Sequence, residues 1–216
     1  MTDKTLQTLV EAELGWDPRI DAAEIGVTAS AGVVTLSGAV GTYLEKINAG
    51  RAAMRVKGVK GLAQDIQVRP FGDTGTSDDE IAKRALTSLE WNATVPADKL
   101  QVRVEGGFVT LTGEVEWDFQ REAAEHAVQK LYGVLAVNNH VTLKTRVQPA
   151  DIHRRIEEAL ERQGQLHAGD IRVSVDGNNI RLEGKVDAWD DRFVIERAAW
   201  AAPGVYAVDD RVTVAA

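Results

Sequence analysis

At 216 residues the chain is long enough for one domain or for several small ones. A net charge of -8 argues against nucleic acid as a partner, and the absence of cysteine excludes disulfides and thiolate metal sites. No apolar run approaches the roughly 18 residues of a membrane span.

The chain opens on an amphipathic helix. Asp3 is its expected N-cap, and Leu6, Leu9, Val10 and Leu14 fall on one face. Gly15 and Pro18 end it, with Trp16 between them. The start has no basic n-region, apolar h-region or cleavage site, so no secretory signal is read there. The expected location is cytoplasmic, or periplasmic if a signal has been removed. Ile25 and Val27 begin a strand, and Ala31-Gly32 turns it into a second strand, Val33 to Val40. Val34, Leu36 and Val40 share a face of that strand by the two-residue period. A second helix is predicted over about 42–57, with Leu44, Ile47, Ala53 and Val56 inward and Gly58 as its stop. A third strand carries Leu62, Ile66 and Val68.

A segment rich in turn formers, Pro70 to Thr76, separates this unit from a second copy of it. There Ile81, Ala85 and Leu89 line the first helix, and Trp91 matches Trp16. Leu100, Val102 and Val104 form a strand, Gly106-Gly107 the turn, and Val109 and Leu111 the next strand. The second helix is predicted over about 117–132, with Ala124, Ala127, Val128 and Leu131 inward. Val137, Val141 and Leu143 close the unit. The join from Lys144 to Pro149 is short and free of glycine. In a third copy Ile152, Ile156 and Leu160 take the helix positions, and Asp176 to Asn179 make the hairpin turn. The strand Ile180 to Val186 leads to a helix over about 188–202, and Pro203-Gly204 ends it.

The landmarks recur at fixed offsets: Gly38 becomes Gly113 after 75 residues and Gly184 after 71 more. Such self-similarity marks a repeat architecture. Each unit runs helix, strand, strand, helix, strand. A hairpin makes the first two strands antiparallel, and a right-handed crossover makes the third parallel to the second. The fold class is therefore α+β: three tandem αββαβ domains at 1–70, 77–146 and 149–216, each a three-stranded mixed sheet with two helices on one face. The other face, with Thr35, Thr110 and Arg181, is partly solvated.

The unit resembles the BON domain, the family of bacterial osmotically inducible and nodulation proteins. The likeness rests on the strand-end glycines Gly38, Gly113 and Gly184 and on the pairs Gly58-Val59, Gly133-Val134 and Gly204-Val205. Val115 to Val128 looks like a middle repeat and Glu196 to Val205 like the last repeat of three-BON bacterial proteins. The family pattern has Asn shortly after the Gly-Val pair. Asn139 fits it, whereas Gln64 and Asp210 depart from it. The resemblance implies an osmotic- or envelope-stress role, phospholipid binding in some members, and no catalytic residues.

Gly38, Gly113 and Gly184 are read as structural, because a strand turns into a helix there. Trp16 and Trp91 are read as staples of the first helix on the sheet, and Trp200 as core or inter-domain. Tyr43, Trp117 and Trp189, near the starts of the second helices, are surface candidates together with Phe119. Arg51, Arg55, Lys57 and Lys60 form a basic cluster that suits phospholipid headgroups, although the helix dipole also favours cations there. His126, His140, His153 and His167 have no ligand spacing, and no metal or cofactor site is read. Asp190-Asp191 and Asp209-Asp210 dress a helix start and a strand edge. The expected function is non-enzymatic binding, to a phospholipid membrane surface or to envelope or stress proteins. Scaffold or chaperone-like binding of other proteins is the alternative.

Overall fold

The computed structural model describes residues 2–70, 76–144, 171–202 and 205–214, together with Arg154, Ile156, Glu158 and Ala159. The joins at 71–75 and 145–149, the positions Ile152, Leu160, Pro203 and Gly204, and His153 and His167 lie outside the described residues. Backbone contacts divide the chain into two compact bodies. One is 1–115 with 120–142, and the other is 116–119 with 143–216.

The first body holds two sheets. Repeat 1 is α1 (Asp3–Trp16), β1 (Ile25–Ser30), β2 (Val33–Val40), α2 (Tyr43–Arg55) and β3 (Gly61–Val68). Repeat 2 is α3 (Asp78–Trp91), β4 (Leu100–Glu105), β5 (Phe108–Val115), α4 (Asp118–Val128) and β6 (Ala136–Leu143). The second body holds repeat 3, with β7 (Ile171–Asp176), β8 (Asn179–Val186), α5 (Trp189–Trp200) and β9 (Ala207–Val214). Each sheet has three strands in sequence order, and none is shared between repeats. The β1–β2 pair is antiparallel and β2–β3 parallel, and β7, β8 and β9 repeat that pattern.

Thr2, not Asp3, caps α1: its side chain accepts from Thr5 N at 3.2 Å. Asp3 instead occupies the first turn, where a carboxylate suits the helix dipole. Leu6, Val10 and Leu14 are buried at four-residue steps, whereas Leu9 lies at the rim and is 44% exposed. The second helices end earlier than their patterns predict. Val56 N bonds Ala53 O and Leu131 N bonds Val128 O, both three-residue steps that tighten the last turn. Gly58 and Gly133 then take φ of 100° and 89°, the left-handed stop. Val56 and Leu131, past the shortened ends, are half-buried, and so are Leu44, Ile47 and Ala127 within the helices. In repeat 3, Ile156 is fully buried with Ile180, Leu182 and Ile195.

The hairpin turns of repeats 1 and 2 have positive φ at both central residues. Gly106 and Gly107 supply it at 56° and 80°, and Ala31 and Gly32 at 51° and 84°. Three equivalent bonds then seat the third strand beside the turn: Lys60 N to Gly32 O, Leu135 N to Gly107 O, and Tyr206 N to Asn178 O, at 2.8, 2.9 and 2.8 Å. Gly38 and Gly113 are fixed by contact as well as by φ. A Cβ there would stand 1.9 Å from Glu24 O and 2.2 Å from Lys99 O.

One position of the third strand ties it to the second helix in every repeat, by different chemistry. Gln64 Nε2 donates to Lys46 O at 2.6 Å. Asn139 Nδ2 donates to Arg121 O at 3.0 Å and to Glu125 at 3.1 Å, and its Oδ1 accepts from Val141 N. Asp210 cannot donate, so Arg192 Nε donates to it at 2.6 Å. The departures from Asn thus keep a shared latch that sequence pattern alone did not reveal.

Candidate functional site

The surface candidates read from sequence have different surroundings. The Tyr43 hydroxyl meets the Val137 backbone of β6, joining repeat 1 to repeat 2. Burial raises its pKa above the ordinary value, and the Glu125 carboxylate adds to that rise. Trp117 is half-buried just before α4, while Phe119 is 55% exposed. Trp189 opens α5 with the Arg192 guanidinium 5.2 Å from its ring centroid. Arg192 is the same side chain that holds Asp210, so the indole, the cation and the carboxylate form one stack.

The basic cluster divides. Arg55 donates to Glu13 at 2.8 Å and stands 3.6 Å from Asp17. The Lys60 stem lies along the Gly32 turn, where a Cβ would meet its Cδ at 2.9 Å. Arg51 and Lys57 are exposed. In repeat 3 Asp209 takes both Arg181 and Arg211, and its carboxyl is held below the ordinary range by their hydrogen bonds, Arg211 first. His126 and His140 are exposed. No group of three or more His, Cys, Asp or Glu among the described residues could hold a metal ion. No helix among them is long and apolar enough to cross a membrane.

Trp16 and Trp91 are not staples. They end α1 and α3 with 85% and 86% of their surface exposed. The helical turn explains it: each lies two residues, about 200°, past the buried Leu14 or Leu89, and so faces away from the sheet. That spacing was present in the sequence and was enough to place them.

Trp91 lines a shallow groove of 830 Å³ between α3 and the end of α4. Lys83, Arg84, Ser88, Asn92 and Lys130 line it too. Ser88 Oγ donates to Ala127 O at 3.1 Å and fixes the two helices at its floor. Asn92 accepts from Thr94 N at 3.1 Å and holds the chain as it leaves α3. Lys83 is paired with Asp79 at 2.6 Å. Arg84 and Lys130 make no ion pair with any described residue, so the groove carries uncompensated positive charge beside an exposed indole.

Repeat 1 has the same helix end with the charge cancelled. Glu13, Asp17 and Arg55 stand where repeat 2 has Ser88, Asn92 and Lys130. Asp17 accepts from Arg19 N at 3.1 Å, as Asn92 does from Thr94, and also from the Arg19 guanidinium at 2.8 and 2.6 Å. Those hydrogen bonds from Arg19, aided by Arg55, hold the buried Asp17 carboxyl far below the ordinary range despite its desolvation.

The BON domain model matches residues 2–70, 77–145 and 149–216, nearly the whole chain. The chain belongs to the BON domain family. It is 29% identical over 153 residues to osmotically-inducible protein Y of Escherichia coli (strain K12), covering 67% of this chain and 74% of that protein. Among solved structures it is similar to CdsD, a structural protein of the type III secretion system of Chlamydia trachomatis, at 16% identity with a TM-score of 0.26. That match covers 98% of this chain and 92% of the other. The C-terminal domain of CdsD gives 14% identity and a TM-score of 0.27, with both chains fully covered. Likeness at those scores carries no argument.

Proposed function

We propose that this BON protein is a non-enzymatic binding protein of a stress response, in keeping with its osmotically inducible relative, and that it docks on anionic phospholipid surfaces. The observation that carries this reading is the repeat 2 groove, where exposed Trp91 stands with Arg84 and Lys130 in a chain of net charge -8. A net charge of -8 opposes global attraction to an anionic membrane, so the reading rests on local features. Each Lys or Arg near an anionic surface contributes about 1 kcal/mol, and an indole suits the boundary between headgroup and acyl chain. The exposed Arg51 and Lys57 are a second, smaller source of the same attraction.

Flotation with vesicles tests the reading. The protein is expected to float with phosphatidylglycerol-containing vesicles and to stay at the bottom with pure phosphatidylcholine. Trp fluorescence should shift to the blue on binding. Failure to float with any vesicle would remove the membrane reading and favour a protein partner.

A further inference from the structure

We propose that Glu13 and Asp17 keep a second copy of this site closed in repeat 1, so that of these two helix ends only that of repeat 2 engages anionic surfaces. The inference rests on the membrane reading above. Repeat 1 has the parts: an exposed indole, Trp16, at the end of α1, and a cation, Arg55, at the end of α2. Two things differ: Leu9 stands where repeat 2 has Arg84, and the cation that remains is paired. Arg55 gives two hydrogen bonds to Glu13, from Nε at 3.2 Å and from a terminal nitrogen at 2.8 Å, and lies 3.6 Å from Asp17. Glu13 and Asp17 balance Arg55 and Arg19, and the four together have no net charge to offer a phosphate.

Neither acid is needed to build the helix end. Ser88 stands in the place of Glu13 and still joins its two helices, through Ala127 O. Asn92 stands in the place of Asp17 and accepts the same backbone hydrogen bond two residues on, at the same 3.1 Å. Repeat 2 therefore shows that a neutral pair supports this geometry. The carboxylates add charge cancellation to an architecture that does not require them.

The test is a transplant in the full chain. The background carries Trp91→Ala, Arg84→Glu and Lys130→Glu, which disables the repeat 2 groove. Into it go Glu13→Ser and Asp17→Asn. With vesicles of phosphatidylglycerol and phosphatidylcholine, the double change releases Arg55 and Arg19, and partitioning is expected to rise about fivefold for each. In the Glu13→Ser single change, where Asp17 still holds Arg19, a further Arg55→Ala or Trp16→Ala should abolish the gain. Glu13→Ser alone leaves the Asp17–Arg19 pair intact and should give part of the rise, which covers the case in which the double change lowers stability. Folded variants that show no rise, while the unaltered protein floats, overturn this inference and leave the membrane reading standing. A Glu13→Ser rise that survives Arg55→Ala also overturns it. An unaltered protein that does not float removes both.

Discussion

Arg55, the last residue of α2, donates to Glu13 of α1 at 2.8 Å, and the corresponding residues in repeat 2 are Lys130 and Ser88. One fold position is thus an ion pair in one repeat and an open cation in the next. The difference turns two similar helix ends into surfaces of different charge.

The Asp17–Arg19 contact gives a pH signature. Asp17 has its pKa lowered in the folded state, against an unfolded value of about 3.9. Its contribution to stability is present above that unfolded value and is lost as pH falls through the folded one. The drop in Tm caused by Asp17→Asn should therefore be constant between pH 5 and 8 and shrink below about pH 4. A drop that grows on acidification would contradict the assignment.

The strand-end glycines should be far less tolerant than the turn glycines. At Gly113 a Cβ meets Lys99 O at 2.2 Å with φ at 136°, whereas at Gly106 nothing lies within 4 Å and φ is 56°. Gly113→Ala should destabilise by more than about 3 kcal/mol in urea unfolding, and Gly106→Ala by about 1–2 kcal/mol. Similar losses at the two sites would show that φ alone, not the carbonyl contact, sets the cost.

Ala31 runs the other way. It is the one non-glycine residue with positive φ among the described residues, at 51°, where repeats 2 and 3 have Gly106 and Gly177. Ala31→Gly should relieve about 1–2 kcal/mol of left-handed strain and lose part of it to unfolded-state entropy, for a net gain of about 0.5–1 kcal/mol. A Tm below that of the parent chain would refute it.

The strand-to-helix latch can be measured at Asn139, which holds Arg121 O, Glu125 and Val141 N together. Asn139→Ala leaves those part-buried groups without that partner and should destabilise by about 1–3 kcal/mol. Asn139→Asp is the sharper probe. It keeps the acceptor for Val141 N, loses the donor to Arg121 O, and sets a carboxylate against Glu125. It should be worse than Asn139→Gln, the residue that repeat 1 uses as Gln64.

The three-sheet plan was legible because it follows from local rules. Alternating Val34 and Leu36, the positive-φ turns and the Gly38, Gly113 and Gly184 landmarks each repeat, so each copy supports the others. The site was much less legible. Tyr43 looked like a free aromatic at a helix start, and only contact with repeat 2 engages it. Trp16 and Trp91 were misplaced as staples even though helix geometry sets them opposite Leu14 and Leu89. Arg55 counted as one charge among four until its carboxylate partners, 42 and 38 residues away in sequence, came into view. Charge cancellation is a tertiary property, and only the aligned repeats expose what its loss leaves behind.

The central claim is that location, not total charge, governs membrane attraction. Two double variants with the same change in net charge test it most directly: Arg84→Glu with Lys130→Glu in the repeat 2 groove, and Arg51→Glu with Lys57→Glu on repeat 1. Flotation with phosphatidylglycerol vesicles at about 0.1 M salt, where the screening length is about 10 Å, should fall at least tenfold for the groove variant and less than threefold for the other. Equal losses in the two, or a larger loss for Arg51 and Lys57, would contradict the assignment of the groove as the binding site.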